Sequence, residues 1–143
     1  MQDKKAEVLV ATLGTEPQVV TITLDRLLAG GRPIGEAVVV HTNAPRVAEA
    51  LRTVEAEFEK GVYPGVGLRK APVVSAKGMI VDDFHDDEDL RALLRTLYAE
   101  IRRSRQEGLT VHLCVSGGRK VMGIMGMVVA QLLFGPEDCV WHL

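Results

Sequence analysis

Two loops hold residue types that could bind an anion. The first is TLGTEPQ, Thr12 to Gln18, and the second is SGGRK, Ser116 to Lys120. Each follows an apolar, β-branched run and precedes a helical pattern, so each carries the chain from a strand into a helix. In the second loop Arg119 and Lys120 stand where the helix dipole disfavours cations. The first turn of a helix also presents unpaired N–H groups, and a phosphate placed there would satisfy both. The hydroxyls of Thr12, Thr15 and Ser116, the glycines Gly14, Gly117 and Gly118, and the charges of Arg119 and Lys120 suit a phosphodiester and ribose ligand. A tight turn with a solvated basic pair accounts for the same residues in simpler terms.

Familiar nucleotide signatures do not fit. The loop after the first strand has one glycine, Gly14, where a dinucleotide fingerprint needs three spaced as G-x-G-x-x-G. SGGRKV is not a G-x-x-x-x-G-K-[ST] phosphate loop either, which argues against NTP hydrolysis. The acids Asp82, Asp83, Asp86, Asp87, Glu88 and Asp89 lack the spaced ligands and glycine of a calcium loop, so helix capping and solvation explain them, and no metal or other cofactor is expected. His85, His112 and His142 have no nucleophile or paired ligand at a recognisable spacing and read as edge or core histidines.

The elements that must position these loops alternate. EVLVATL (7–13) is a strand, and Val19, Val20, Leu24, Leu27 and Leu28 mark a helix, with Thr15 and Gln18 at capping-box spacing and Pro17 in its first turn. EAVVVHT (36–42) is a second strand, and Pro45 opens a second helix through Val47, Leu51, Val54 and Phe58. GVYPGVGLRK (61–70) reads as a glycine-rich loop, followed by one or two short strands in APVVSAKGMIV. A third helix over 86–105 has acids at its start and arginines at its end. LTVHLCV (109–115), a fourth helix over 120–134 and CVWHL complete the series.

Alternating strands and helices, with strands that are continuous apolar runs, predict an α/β fold: a Rossmann-like parallel sheet with helices on both faces. In the usual order 3-2-1-4-5, the crossovers from strands one and four go to opposite sides, and a crevice opens at their carboxyl ends. TLGTEPQ and SGGRK are the two loops at that crevice.

Composition bounds the partners. The 143 residues, 47% apolar, fit one domain with one core. A net charge of -2 argues against a surface built to grip long nucleic acid, so a nucleic-acid ligand should be small. Cys114 and Cys139 form no metal or disulfide framework, the N-terminus lacks a signal peptide pattern, and Val121 to Phe134 is too short to span a bilayer. A cytoplasmic protein without membrane contact is the expectation. The fourth helix is apolar almost all round, which calls for cover on both sides: the sheet on one, and either the same monomer or a second subunit on the other, with Gly123 and Gly126 allowing close approach. A two-fold axis beside this helix would bring two SGGRK loops together.

VLVATLGTEPQVVTITL near the start and LTVHLCVSGGRKVMGIMGMVVAQLLFGPED near the end resemble the CARF domains (CRISPR-associated Rossmann fold), in the group that opens with ATLGT-x-PQVVT and closes with SGGRK-x-MG. The similarity covers nearly the whole chain. It implies that residues 1–143 are one CARF domain, stand-alone or excised from a longer protein, since similar domains continue with further strands. It also implies a homodimer that binds cyclic oligoadenylate, most often cyclic tetra-adenylate, in type III CRISPR antiviral signalling. Phosphates would face Gly117, Gly118, Arg119 and Lys120, and adenines would extend toward His41, Thr42 and Asn43. Thr12, Gly14, Thr15, Glu16, Gln18 and Ser116 complete the implied site.

Such domains divide into sensors, whose effector would be absent from this chain, and ring nucleases. The latter cut the messenger without metal, by attack of a ribose 2′-hydroxyl on the adjacent phosphate. Lys120 matches the family lysine and would stabilise the developing charge. Glu16 departs from the serine or threonine often found just after TLGT in ring nucleases. It is compatible with a weak cutter, with a general base, or with a plain acid on the helix dipole. A mononucleotide-binding domain unrelated to CRISPR is a further alternative, and would bind AMP or a dinucleotide as a monomer.

Overall fold

The computed structural model describes residues 5–143. Its strands are β1 (Glu7–Thr12), β2 (Ile34–His41), β3 (Gly67–Pro72), β4 (Thr110–Cys114) and β5 (Cys139–Trp141). They alternate with α1 (Gln18–Ala29), α2 (Pro45–Glu59), α3 (Asp87–Gln106) and α4 (Lys120–Leu133). All pair in parallel in one sheet of order β3-β2-β1-β4-β5, the Rossmann-like arrangement expected from the alternation. Both faces are covered, which is why the strands are apolar without interruption. Val8, Val10, Val38, Val40, Val111 and Leu113 meet α3 and α4, while Leu9, Ala11, Val39 and Cys114 meet α1 and α2.

Three local expectations are corrected. β3 lies mostly within the stretch read as a glycine-rich loop, and of APVVSAKGMIV only Ala71 and Pro72 belong to it. The remainder folds into a turn closed by a single antiparallel bridge between Val74 and Ile80. β3 is an edge strand, so its polar residues Arg69 and Lys70 are tolerated and meet Glu36 at 3.3 Å and Glu55 at 3.5 Å.

The capping box at Thr15 does not form. Pro17 immediately precedes α1, no side chain caps it, and Gln18 is its first residue rather than its third. Gln18 Nε2 instead donates to Glu16 Oε2 at 2.6 Å.

Gly123 and Gly126 face the sheet, not a partner. A Cβ on Gly123 would stand 3.1 Å from the Val115 carbonyl oxygen, and one on Gly126 would stand 3.2 Å from Val115 Cγ1. These glycines let α4 lie close on β4. The outward face of α4 carries Ile124, Met127, Val128 and Leu132, all exposed.

α3 follows the helix dipole as anticipated, with Asp87, Glu88 and Asp89 in its first turn and Arg103 and Arg105 in its last. Asp86 caps it by accepting from the Asp89 N–H at 2.9 Å. His112 proves to be a core residue, fully buried on β4. The Trp141 indole N–H donates to its Nδ1 at 3.0 Å, so that nitrogen is an acceptor. The imidazole proton therefore sits on Nε2 and is donated to Glu7 Oε1 at 2.6 Å.

Candidate functional site

β1 and β4 are neighbours, and from their carboxyl ends the chain turns to opposite faces, into α1 and into α4. A cavity of about 550 Å³ opens there. It is lined by both loops, by the start of α2 and by Asp82 and Asp83.

The glycines of SGGRK are explained by the contact between the two loops. A Cβ on Gly117 would collide with the carbonyl oxygen of Thr12, and one on Gly14 would stand 2.6 Å from the Gly118 nitrogen. Gly118 also has φ +83, which L side chains rarely adopt. Only glycine lets these two backbones touch. Thr12, fully buried, fastens them by donating its hydroxyl to the Gly117 carbonyl at 2.7 Å. Its hydroxyl is thus engaged between the two loops, and Thr12 does not line the cavity.

Three helices begin around this crevice: α1 after β1, α2 after β2, and α4 after β4. Among the described residues none of the three has a side-chain cap, whereas α3 is capped by Asp86. Uncapped first-turn N–H groups need water or an anion, and their dipoles add to its attraction. The cavity wall carries two cations, Arg46 and Arg119, and three acids, Glu16, Asp82 and Asp83.

Of the residues expected from sequence, Gly14, Thr15, Glu16, Thr42, Ser116, Gly117, Gly118 and Arg119 line one cavity. Gln18 stands behind Glu16, oriented by their hydrogen bond. Asn43 and Lys120 do not line it. The Asn43 N–H is bonded to the Val81 carbonyl at 2.8 Å, and its residue is exposed. Lys120 is exposed at the start of α4, without a hydrogen bond or ion pair among the described residues. On the helix it shares a face with Ile124, Met127 and Val128, one and two turns on. Ser116 Oγ accepts from the Leu143 N–H at 2.7 Å, which ties the loop to the segment after β5.

Two residues were missed. Arg46 sits in the first turn of α2, and the dipole argument applied to Arg119 and Lys120 would have found it too. Asp83 gave no local signal, because its partner is far away in sequence. Arg119 Nη2 donates to Asp83 Oδ2 at 2.8 Å and Nε to Oδ1 at 3.2 Å. The Phe84 N–H, foremost, and then Arg119 hold the Asp83 carboxyl below its ordinary pKa.

Fold and site together define a Rossmann-like domain whose switch-point crevice is equipped for an anionic ligand. Comparison with known proteins places it further. The family profile CRISPR-associated protein NE0113 (Cas_NE0113) matches residues 16–143, so the chain belongs to that family. It is 30% identical over 128 residues to the CRISPR system ring nuclease SSO2081 of Saccharolobus solfataricus. That match covers 86% of this chain and 64% of the relative, so the chain spans a little under two thirds of the relative's length.

Solved structures show the same fold. A type III CRISPR defence DNA nuclease activated by cyclic oligoadenylate superposes with a TM-score of 0.63 at 20% identity, over 100% of this chain and 19% of that one. Protein VC1899 from Vibrio cholerae gives 0.65 at 11% identity, over 96% of this chain and 30% of that one. Membership of a CRISPR-associated family sets aside a nucleotide-binding domain unrelated to CRISPR. Among the described residues no helix is long and apolar enough to cross a membrane.

Proposed function

We propose that this chain is a CARF domain that binds cyclic oligoadenylate, specifically cyclic tetra-adenylate, as a sensor in type III CRISPR antiviral signalling. The observation that carries the reading is the convergence of three uncapped helix starts with Arg46 and Arg119 on one glycine-walled crevice. Such an arrangement favours a ligand with several phosphodiesters over a single anion. Phosphates would lie on Gly117, Gly118 and the first turn of α4, with Lys120 at the rim. Thr15, Glu16 and Ser116 would meet ribose, and Thr42 the base.

The ligand would be shared by two copies. Ile124, Met127, Val128 and Leu132 form an exposed apolar stripe along α4 that begins beside Lys120. Packing two such stripes about a two-fold axis buries them and brings two Lys120 side chains and two crevices together around one symmetric ring.

A second reading, a ring nuclease, is favoured by the relative that is named one. In that case the ribose 2′-hydroxyl attacks the adjacent phosphate and gives its proton to a base, while the P–O5′ bond breaks and the 5′-oxygen takes a proton from water, leaving a 2′,3′-cyclic phosphate and a 5′-hydroxyl. Lys120 would stabilise the charge that develops on the phosphoryl oxygens. Glu16, held by Gln18, would be the proton acceptor.

The deciding experiment incubates excess protein with labelled cyclic tetra-adenylate in EDTA and resolves free, bound and cleaved species over time. Binding without cleavage supports the sensor. Linear products ending in a cyclic phosphate support the nuclease. Absence of binding, or affinity unchanged in Lys120→Ala, overturns the proposed phosphate site.

A further inference from the structure

The segment Val81–Asp86 is pinned at both ends. The Val81 N–H donates to the Val73 carbonyl and its carbonyl accepts from Asn43, both at 2.8 Å, while Asp86 caps α3. Between those anchors, Asp83 reaches across to the N-terminus of α4 and takes both a terminal and the ε nitrogen of Arg119. Among the described residues this pair is the polar link between residues 82–85 and α4. A guanidinium presents the same planar fork to a carboxylate and to a phosphate. The Asp83 carboxylate therefore occupies the edge of Arg119 that a phosphodiester would use, within a cavity that both residues line.

We propose that Asp83 is an internal competitor for Arg119 that sets how tightly the crevice binds its ligand. An arriving phosphate displaces the carboxylate, and residues 82–85 come away from the start of α4. The inference rests on the reading of the crevice as a phosphodiester site. Exchange is feasible because the pair is at the surface: the Arg119 side chain is 69% exposed and that of Asp83 34%. An ion pair of this kind holds weakly enough for a multiply charged ligand to replace it. Asp83 also repels the ligand before contact, so its charge opposes binding twice.

The test uses Asp83→Asn, which keeps the side-chain oxygen that accepts from Phe84, removes the charge and replaces the acceptor of Arg119 Nη2 with an amide nitrogen. Calorimetric titration with pyrophosphate, and separately with cyclic tetra-adenylate, is run on the native chain, Asp83→Asn, Arg119→Ala and the double variant. The expected result is roughly two- to ten-fold tighter binding by Asp83→Asn, with the gain much reduced when Arg119 is also replaced. Unchanged or weaker binding in Asp83→Asn overturns the proposal, because Asp83 would then be positioning Arg119 or be idle. Failure of every form to bind pyrophosphate overturns it as well. A gain for pyrophosphate with no binding of cyclic tetra-adenylate upholds the competitor and refutes the ligand assignment.

Discussion

Gly117→Ala should separate the two loops of the crevice, and its cost follows from the backbone contact. The added methyl would collide with the Thr12 carbonyl oxygen and stand 3.3 Å from Leu13 Cα, and neither is a side chain that can rotate away. Overpacking against fixed atoms costs about 1–3 kcal/mol. The Thr12 hydroxyl bond to the Gly117 carbonyl is strained or lost as the loops part, adding about 1 kcal/mol. The total is about 2–4 kcal/mol. For a domain of this size that corresponds to a fall in Tm of roughly 7–13 °C. The assay is differential scanning calorimetry of Gly117→Ala beside Gly35→Ala, whose added methyl meets nothing within 4 Å. Ligand affinity is measured on both below the lower Tm. Gly35→Ala should lie close to the native protein. If Gly117→Ala matches it in both Tm and affinity, the loops are not held by direct backbone contact and the account of SGGRK fails.

Other consequences can be checked separately. Leu132→Glu puts a charge at the C-terminal end of the outward stripe of α4, and sedimentation should show a dimer converted to monomer with the Tm changed little, since Leu132 is 66% exposed. His112→Leu removes the donor to Glu7, which keeps Arg32 at 3.7 Å, and the acceptor of the Trp141 N–H, and urea denaturation should report a loss of about 1–3 kcal/mol. Asp83 has its pKa lowered in the fold, so its contribution is complete above the ordinary carboxylate pKa and is lost as pH falls through the lower folded value. An NMR titration of its side-chain carbon should therefore give a midpoint below that of an unfolded aspartate, and Arg119→Ala should move it upward.

The sheet was legible because its signal is local. β1, β2 and β4 are apolar runs bounded by helical periodicity, and the strand order is the usual one for a Rossmann-like alternation. β3 was misplaced because an edge strand need not be apolar; its Arg69 and Lys70 are balanced by acids on β2 and α2 that no local window includes. The site divides in the same way. The loops announced themselves through glycines and misplaced cations, but the grip of Asp83 on Arg119 joins residues 36 positions apart. The Glu7–His112 bond spans 105 positions. Thr12 reads as a hydroxyl at a loop and acts as a fastener, because only the fold determines which carbonyl lies beneath it.

Trp141 is the single tryptophan of the sequence. Its indole bonds to the buried imidazole of His112, and its carbonyl accepts from Val115 at 3.1 Å, one residue ahead of the glycine turn. Two residues later Leu143 is tied to Ser116 of that turn. The molecule thus carries one indole fluorophore wired to the loop that would receive phosphate, yet outside the cavity lining, where a nucleobase could not stack on it and quench it directly. A change in its emission on ligand addition would report movement of the turn itself, without a label.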